Sequence, residues 1–401
     1  MRRLLVGLLA AGALLGQETA FDRLKREAAR IQALASGESA PDMNAAALAP
    51  LHLALRDWIE SQLPQKAGAT PDEFRSLETA LQRTLRDARL DGSGTTPSGP
   101  HGPGEPRTGY LSLEFKRLPE LPDALFVIAG ITVECGADEA VYLYHFDADG
   151  RTRAIEDHPK SGGFEYAQVE LSDPDADGRR LLATHYMSTQ CASFWMGMAY
   201  SVYQLDLQHG AGEPLLADTP NLWIDNDGPE FVLEPEELVI ELLDRSVDAG
   251  VHNRTRIYRY SFSQGVQRLD PVALQPQDFA EEWLTRPWSE MQSRSAAETK
   301  DWHDRLHGDF LFAHYAGVVR CGAKPGRWLI GLDIDRSGEK DLPDPLRTWF
   351  LVRDLGNYRY NMEAVSASRP TGCPGAGLKS GAGNASDQHP WLSREQLKAL
   401  Q

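Results

Sequence analysis

The chain has 401 residues, with 41 basic and 58 acidic side chains and a formal net charge of −17 at neutral pH. This surplus of negative charge repels phosphate groups, so the composition argues against binding to nucleic acid or to anionic membranes. The length allows two or three domains with their own cores, and the 41% hydrophobic content argues against a disordered chain.

The N-terminus has the layout of a signal peptide. Two arginines precede an apolar run from Leu4 to Leu15, and polar sequence begins at Gln17. The run is too short to span a bilayer, which takes about 20 residues. The sequence therefore predicts removal of residues 1–16 and a mature protein that is secreted or periplasmic and has no transmembrane segment.

Export would place the four cysteines in an oxidising compartment, where disulfides are favoured over free thiols. These cysteines are Cys135, Cys191, Cys321 and Cys373, and none belongs to a CxxC pair. Four cysteines allow three pairings. Nearness in the sequence favours Cys135 with Cys191 and Cys321 with Cys373.

Residues 17–90 are predicted to be a helical segment, because apolar residues recur at helical spacing in three stretches. Pro64 is expected to end the second helix and Pro71 to open the third. We interpret the apolar stripes as the packing faces of a small bundle. Residues 91–108, rich in glycine and proline, are predicted to be a flexible linker at a domain boundary. The stripes contain Phe21, Leu24, Ala28, Ile31 and Leu34; Leu51, Leu55, Trp58, Ile59 and Leu63; and Phe74, Leu77, Leu81 and Leu85.

Residues 109–275 are predicted to form an antiparallel β domain, because β-branched and aromatic residues now alternate with polar ones. Three hairpins within it share the order strand, glycine-containing turn, strand, and they align Tyr142, Tyr203 and Tyr258. The predicted strands are 110–115, 125–134, 140–146, 166–171, 180–187, 198–207, 238–243 and 256–262.

One of these hairpins carries a resemblance to a known family. The segment 175–187 followed by 201–216 resembles a blade of the TolB-type β-propellers, in which a strand follows an Asp-Gly turn. The resemblance extends to the hairpins at 140–155 and 256–269, and SDPDADG (172–178) is an altered form of the family's Ser-Pro-Asp-Gly opening. It implies a partner-binding scaffold. A β-sandwich with long hairpins would explain the same strands, so both architectures stay open.

The remainder is predicted to form an α+β unit over residues 276–373, followed by a loose tail at 374–401. Phe279, Trp283 and Leu284 share one side of a predicted helix that opens at Pro276. Four strands follow, at 310–320, 327–334, 348–355 and 358–365. The whole chain is therefore expected to be a multi-domain α+β protein.

An acidic segment near the C-terminus is a candidate calcium loop. It follows the spacing of twelve-residue calcium loops, with an aspartate in place of the usual final glutamate. Hairpin turns also require Asp and Gly, so the same residues can be explained by turn formation alone. The candidate ligands are Asp333, Asp335, Ser337, Asp341 and Asp344.

A second candidate centre is the segment His303-Asp304-Arg305-Leu306-His307. Histidines at i and i+4 share one helix face, and the segment resembles the zincin motif HExxH, with Asp304 replacing the glutamate. His314 lies one residue beyond the third-ligand spacing of the metzincin group. The resemblance implies His303 and His307 as zinc ligands and Asp304 as the base. The alternative is a helix end with no metal.

These features predict an exported binding or interaction scaffold for a protein, peptide or carbohydrate ligand. The alternatives are a secreted metal-dependent hydrolase using the histidine segment, and a purely structural envelope protein. No cofactor is firmly predicted, and calcium is favoured over zinc. The sequence does not decide whether the protein is an enzyme.

Overall fold

The computed structural model describes residues 18–35, 45–65, 68–92, 108–133, 136–159, 163, 165–189, 196–207, 212–219, 221–222, 229–244, 254–307, 312–321, 326–335, 346–371 and 373. The predicted signal peptide, the linker at 91–108 apart from its ends, the tail at 374–401, Cys135 and Cys191 lie outside these ranges.

The three predicted N-terminal helices are confirmed as α1 (Ala20–Ala35), α2 (Ala45–Gln62) and α3 (Pro71–Asp87). Their apolar stripes are buried, as expected for packing faces. The stripes do not form a core of their own, because they pack against the sheet that follows in one continuous apolar cluster.

That first sheet is an antiparallel meander of four strands in chain order: β1 (Leu111–Lys116), β2 (Ala124–Val133), β3 (Gly136–Phe146) and β4 (Arg151–Asp157). Almost every residue of β2 is buried, which explains its uninterrupted apolar sequence. The helices and this sheet share one core. Residues 91–108 therefore connect two parts of one unit rather than two separate cores.

Three further antiparallel sheets have the same up-and-down strand order. The second contains β5 (Glu165–Leu171), β6 (Leu181–Thr189), β7 (Met196–Gln204) and β8 (Leu216–Asp218), with β9 (Asn221–Leu222) paired to β7. The third contains β10 (Glu230–Glu234), β11 (Glu237–Asp244), β12 (Arg254–Ser261) and β13 (Gln267–Arg268). The fourth contains β14 (Phe312–Arg320), β15 (Arg327–Asp335), β16 (Leu346–Asp354) and β17 (Tyr360–Ser366).

The three similar hairpins occupy equivalent places in this pattern. Tyr142, Tyr203 and Tyr258 lie on β3, β7 and β12, each the third strand of its sheet, and all three are buried. A four-stranded meander is common to propeller blades and to many other sheets, so it does not identify a family. The described residues form a mixed α+β fold with no closed barrel or propeller.

The chain divides into two compact units that do not follow the predicted boundaries. The first contains Met1–Glu170 and Leu182–Asn221, and the second contains Leu171–Leu181 and Leu222–Gln401. The division falls inside the predicted β domain at 109–275, because its first two sheets and its third sheet belong to different units. No helix among the described residues is both long enough and apolar enough to cross a membrane.

The second unit contains α4 (Pro276–Thr285), α5 (Trp288–Met291) and α6 (Lys300–Leu306). Phe279, Trp283 and Leu284 are fully buried against the fourth sheet, as their spacing predicts. The predicted disulfide between Cys321 and Cys373 is confirmed, and it lies against Leu329 and Trp349.

Candidate metal centre

Three polar side chains meet inside the first unit, and each comes from a different element. His52 lies on α2, between residues of its buried stripe. Asp138 lies on β3, opposite Ile131 of β2. His158 follows the last residue of β4 directly. We call these three residues the His-Asp-His cluster.

One carboxylate oxygen is the centre of the cluster. Oδ2 of Asp138 lies 3.0 Å from Nε2 of His52 and 3.0 Å from Nε2 of His158. The other oxygen, Oδ1, accepts a hydrogen bond from the backbone N–H of Gly163 at 3.0 Å. The imidazole centroids are 4.2 Å apart, with the ring planes tilted by 47°. Both rings therefore approach the same oxygen from neighbouring directions.

Within the cluster, the carboxylate of Asp138 is buried and the ring of His158 is partly exposed. The exposed side-chain fraction is 0% for Asp138, 8% for His52 and 23% for His158. Burial opposes ionisation of Asp138, but hydrogen bonds from His158 and His52 outweigh it and hold the pKa of the carboxyl below its ordinary range. Burial also lowers the pKa of His52 below 6.5, although Asp138 opposes this. At neutral pH His52 is therefore uncharged and Asp138 is ionised.

The donor set fits a transition-metal ion. Among the described residues this is the one group of three or more His, Cys, Asp or Glu side chains whose ligand atoms lie close together, all within 4.8 Å of one another. Metal–nitrogen bonds of about 2.1 Å place adjacent ligands about 3 Å apart. Imidazole nitrogen with carboxylate oxygen suits zinc, iron, nickel or copper better than calcium, which prefers oxygen alone.

One detail departs from the usual surroundings of metal-bound histidines. Such histidines generally hydrogen-bond through their second ring nitrogen. Nδ1 of His52 is buried with no hydrogen-bond partner in the described part of the chain. In the described part of the chain, the hydrogen bond that orients this ring is therefore the one to Asp138, and the ring also contacts the ring of His158.

A second buried carboxylate adjoins the cluster in the sequence. Asp157 accepts hydrogen bonds from the hydroxyls of Thr184 (2.5 Å), Tyr186 (2.8 Å) and Tyr203 (2.7 Å). These three residues belong to β6 and β7. Because Asp157 directly precedes His158, the hydroxyls fix the end of β4 at the point where it presents the histidine.

The predicted zinc ligands of the histidine segment each contact a backbone carbonyl through one ring nitrogen. Nε2 of His303 lies 3.0 Å from the carbonyl of Arg286, and Nδ1 of His307 lies 2.9 Å from the carbonyl of Leu284. These carbonyls belong to the C-terminal end of α4, where helices lack internal donors. These two nitrogens donate to the carbonyls, which leaves Nδ1 of His303 and Nε2 of His307 as the ring nitrogens that a metal ion could use.

Asp304, the predicted base, forms an exposed ion pair with Lys300 at 2.5 Å. His314, on β14, is exposed. In the parts of the chain that the structure describes, no third ligand joins His303 and His307. The two histidines hydrogen-bond carbonyls at the end of α4, and their role as zinc ligands stays a prediction.

The predicted calcium loop can be followed only at its first position. Both oxygens of Asp333 bind Arg347, each at 2.7 Å, across β15 and β16. The side chain of Asp335 is outside the described residues, as are the remaining candidate ligands, Ser337, Asp341 and Asp344. Asp333 is therefore paired with Arg347, and the calcium loop itself stays a prediction.

The His-Asp-His cluster is not predicted from the sequence. His52 sits within a helical apolar stripe, and Asp138 opens a strand, so neither forms a recognisable short motif. The one local signal is His52, whose sequence neighbours Leu51 and Leu53 are apolar, whereas Asp138 is followed by Glu139. Comparison with protein-family models and with curated proteins gives no match for this chain.

Proposed function

We propose that this chain is an exported metal-binding protein whose His-Asp-His cluster holds one divalent transition-metal ion, with zinc as the reference ion. The observation that supports this is the convergence of two imidazole nitrogens on one buried carboxylate oxygen, each at 3.0 Å. Export rests on the signal-peptide pattern of residues 1–16. We favour this cluster over the pair His303 and His307, because no third ligand joins that pair among the described residues.

Charge balance supports an ion at this place. An ionised carboxylate that is fully buried is costly unless a cation compensates it. His52 is uncharged at neutral pH, because burial lowers its pKa. The nearby Arg56 is already paired with Glu156 at 3.0 Å. Hydrogen bonds from His52, His158 and Gly163 stabilise the ionised carboxylate, and a bound metal ion would add the compensating positive charge.

The test is calorimetric titration of the chelator-treated full chain with Zn²⁺, and separately with Ca²⁺. We expect one zinc ion per chain and no calcium heat at this site. His158→Ala, which alters the most exposed ligand, should weaken zinc binding about tenfold or more, and Asp138→Asn should also weaken it. Circular dichroism shows whether each variant is folded.

Two histidine variants serve as matched controls. His314→Ala changes an exposed histidine outside the cluster and should leave zinc binding unchanged. His307→Ala should also leave it unchanged, whereas a loss confined to His307→Ala would favour the hydrolase centre. Absence of zinc binding by the wild-type chain would overturn the proposed function and leave a hydrogen-bonded cluster of His52, Asp138 and His158.

A further inference from the structure

His158 stands just beyond the last paired residue of its strand. The register of β3 with β4 ends at the pair Val141 and Asp157, and His158 follows directly. Asp138, by contrast, lies within the paired part of β3, and His52 lies within α2. The backbone ladder therefore fixes the chain only as far as Asp157, and whatever holds Asp157 decides where the imidazole of His158 begins.

Three hydroxyl groups of the second sheet hold Asp157. Its Oδ2 accepts hydrogen bonds from Thr184 at 2.5 Å and Tyr186 at 2.8 Å, both on β6. Its Oδ1 accepts a hydrogen bond from Tyr203, on β7, at 2.7 Å. The hydroxyl of Tyr186 also lies 3.2 Å from the backbone carbonyl oxygen of Asp157, which belongs to the peptide bond leading to His158. Both carboxylate oxygens and this peptide group are thus tied to the second sheet.

The hydroxyl contacts are buried and lie within one compact unit. Asp157 is 6% exposed, and the three hydroxyl residues are at most 4% exposed. All four belong to the first unit, as does His158. Because little water reaches these groups, removal of one hydroxyl leaves the carboxylate short of a donor. The carboxylate is then held less firmly, and the backbone of His158 is held less firmly with it.

A bound metal ion is sensitive to such a change. Metal ligands must lie within about 0.2 Å of their ideal distances, so a ligand that is poorly held costs affinity. Residues that orient a metal ligand typically change metal affinity by about 10- to 100-fold when they are altered.

We propose that Asp157 is a positioning residue of the His-Asp-His cluster. Held by the hydroxyls of β6 and β7, it fixes where His158 meets the ion and thereby determines the affinity for the metal. This inference rests on the proposed metal-binding function. It gives the second sheet a part in a site to which its described residues supply no ligand.

The test removes one hydroxyl at a time from the full chain and keeps the shape of the side chain. Tyr203→Phe and Thr184→Val each take one donor from Asp157 and leave its carboxylate in place. Zinc titration should show binding about tenfold weaker in each variant, with the stoichiometry of the wild-type chain. When Co²⁺ replaces zinc, its visible absorption bands report the arrangement of ligands around the ion. These bands should shift in both variants.

Tyr200→Phe is the matched control. Tyr200 lies on the same strand as Tyr203 and is buried, but its hydroxyl donates to Asp218 at 3.4 Å. The zinc affinity and the cobalt bands of this variant should equal those of the wild-type chain. Circular dichroism shows whether each variant is folded, and two test variants are used so that misfolding of one leaves the other as the test.

The outcomes separate this inference from the proposed function. If the wild-type chain binds zinc and the folded test variants bind it with unchanged affinity, Asp157 is not a positioning residue, while the metal-binding function stands. Weaker binding with unchanged cobalt bands, or equal weakening in Tyr200→Phe, would also refute the inference, because the effect would then not lie in the placement of His158. If the wild-type chain binds neither zinc nor cobalt, both proposals fail.

Discussion

Buried charges concentrate at one place in the second unit, where α4 meets β12. Arg254 pairs with Glu281 at 2.8 Å and with Glu282 at 2.9 Å, and Arg256 pairs with Glu282 at 3.1 Å. All four side chains are almost completely buried. Such pairs tolerate the loss of one partner poorly, because the other is left as an isolated buried charge. These contacts determine how neighbouring carboxyl groups titrate.

Asp278, one turn before these glutamates, provides a prediction of pH dependence. Burial raises its pKa to about 7, although Arg254 opposes the rise. The folded chain keeps the proton up to that pH, while the unfolded chain releases it near 3.8. Asp278 therefore lowers the free energy of unfolding progressively as the pH rises from 3.8 to about 7. Below pH 3.8 both states hold the proton and this loss of stability is absent. Asp278→Asn should stabilise the protein at pH 8, by at most about 4 kcal/mol, and much less at pH 5.

Urea unfolding at the two pH values measures this difference. The exposed Asp301, on α6, supplies the control, since Asp301→Asn should stay within about 0.5 kcal/mol of the wild-type chain at both pH values. An Asp278→Asn variant with the same gain at pH 5 as at pH 8 would show that the raised pKa is not the cause.

At the scale of single elements, α3 begins with a complete capping box. The N–H of Glu73 donates to the hydroxyl of Thr70 at 3.3 Å, and the N–H of Thr70 donates to the carboxylate of Glu73 at 2.6 Å. Two backbone donors that the helix would leave unpaired are thereby satisfied. Pro71 follows at the first helical position, where its missing N–H costs nothing.

Thr70→Ala should therefore destabilise the first unit by about 1 kcal/mol, a typical value for the loss of an N-cap. Chemical denaturation measures the change. Thr79→Ala, within the same helix and exposed, removes a hydroxyl that bonds only the carbonyl of Arg75 and should be neutral or slightly stabilising. Equal losses in the two variants would contradict a capping role for Thr70.

The elements themselves were largely predictable from the sequence, since helical and alternating patterns report which face is buried. Short strands such as β10 (Glu230–Glu234) were not predicted, because this strand has only three apolar residues and a glutamate at each end. His303 lies on α6 as predicted, whereas His307 follows the last residue of that helix, and pattern alone could not show that α4 ends against both rings. The His-Asp-His cluster depends on α2 packing against β3, a tertiary contact with no local signature.

At the scale of the whole molecule, the two units carry different means of stabilisation. The first contains the His-Asp-His cluster, and the second contains the disulfide between Cys321 and Cys373, which closes a segment with a sequence separation of 52. Each unit has its own apolar core. A change to one cross-link should therefore affect its own unit.

Replacing Cys321 and Cys373 together by alanine tests this division. The double variant should lose about 4 kcal/mol of stability, because a longer unfolded chain regains conformational entropy. Zinc binding by the first unit should keep its wild-type affinity and stoichiometry. Denaturation followed by tyrosine and tryptophan fluorescence, with zinc titration of the same sample, measures both quantities. Loss of zinc binding in a folded double variant would show that the units are coupled.

The chain separation of the three ligands has a consequence for the order of events during synthesis. His52 and Asp138 are 86 residues apart, and His158 follows 20 residues later. His158 is thus the last ligand to leave the ribosome, and a chain interrupted before it lacks the exposed member of the set. All three ligands can therefore bind an ion together only once the chain is available as far as residue 158, which makes binding of the ion a late step in the formation of the first unit.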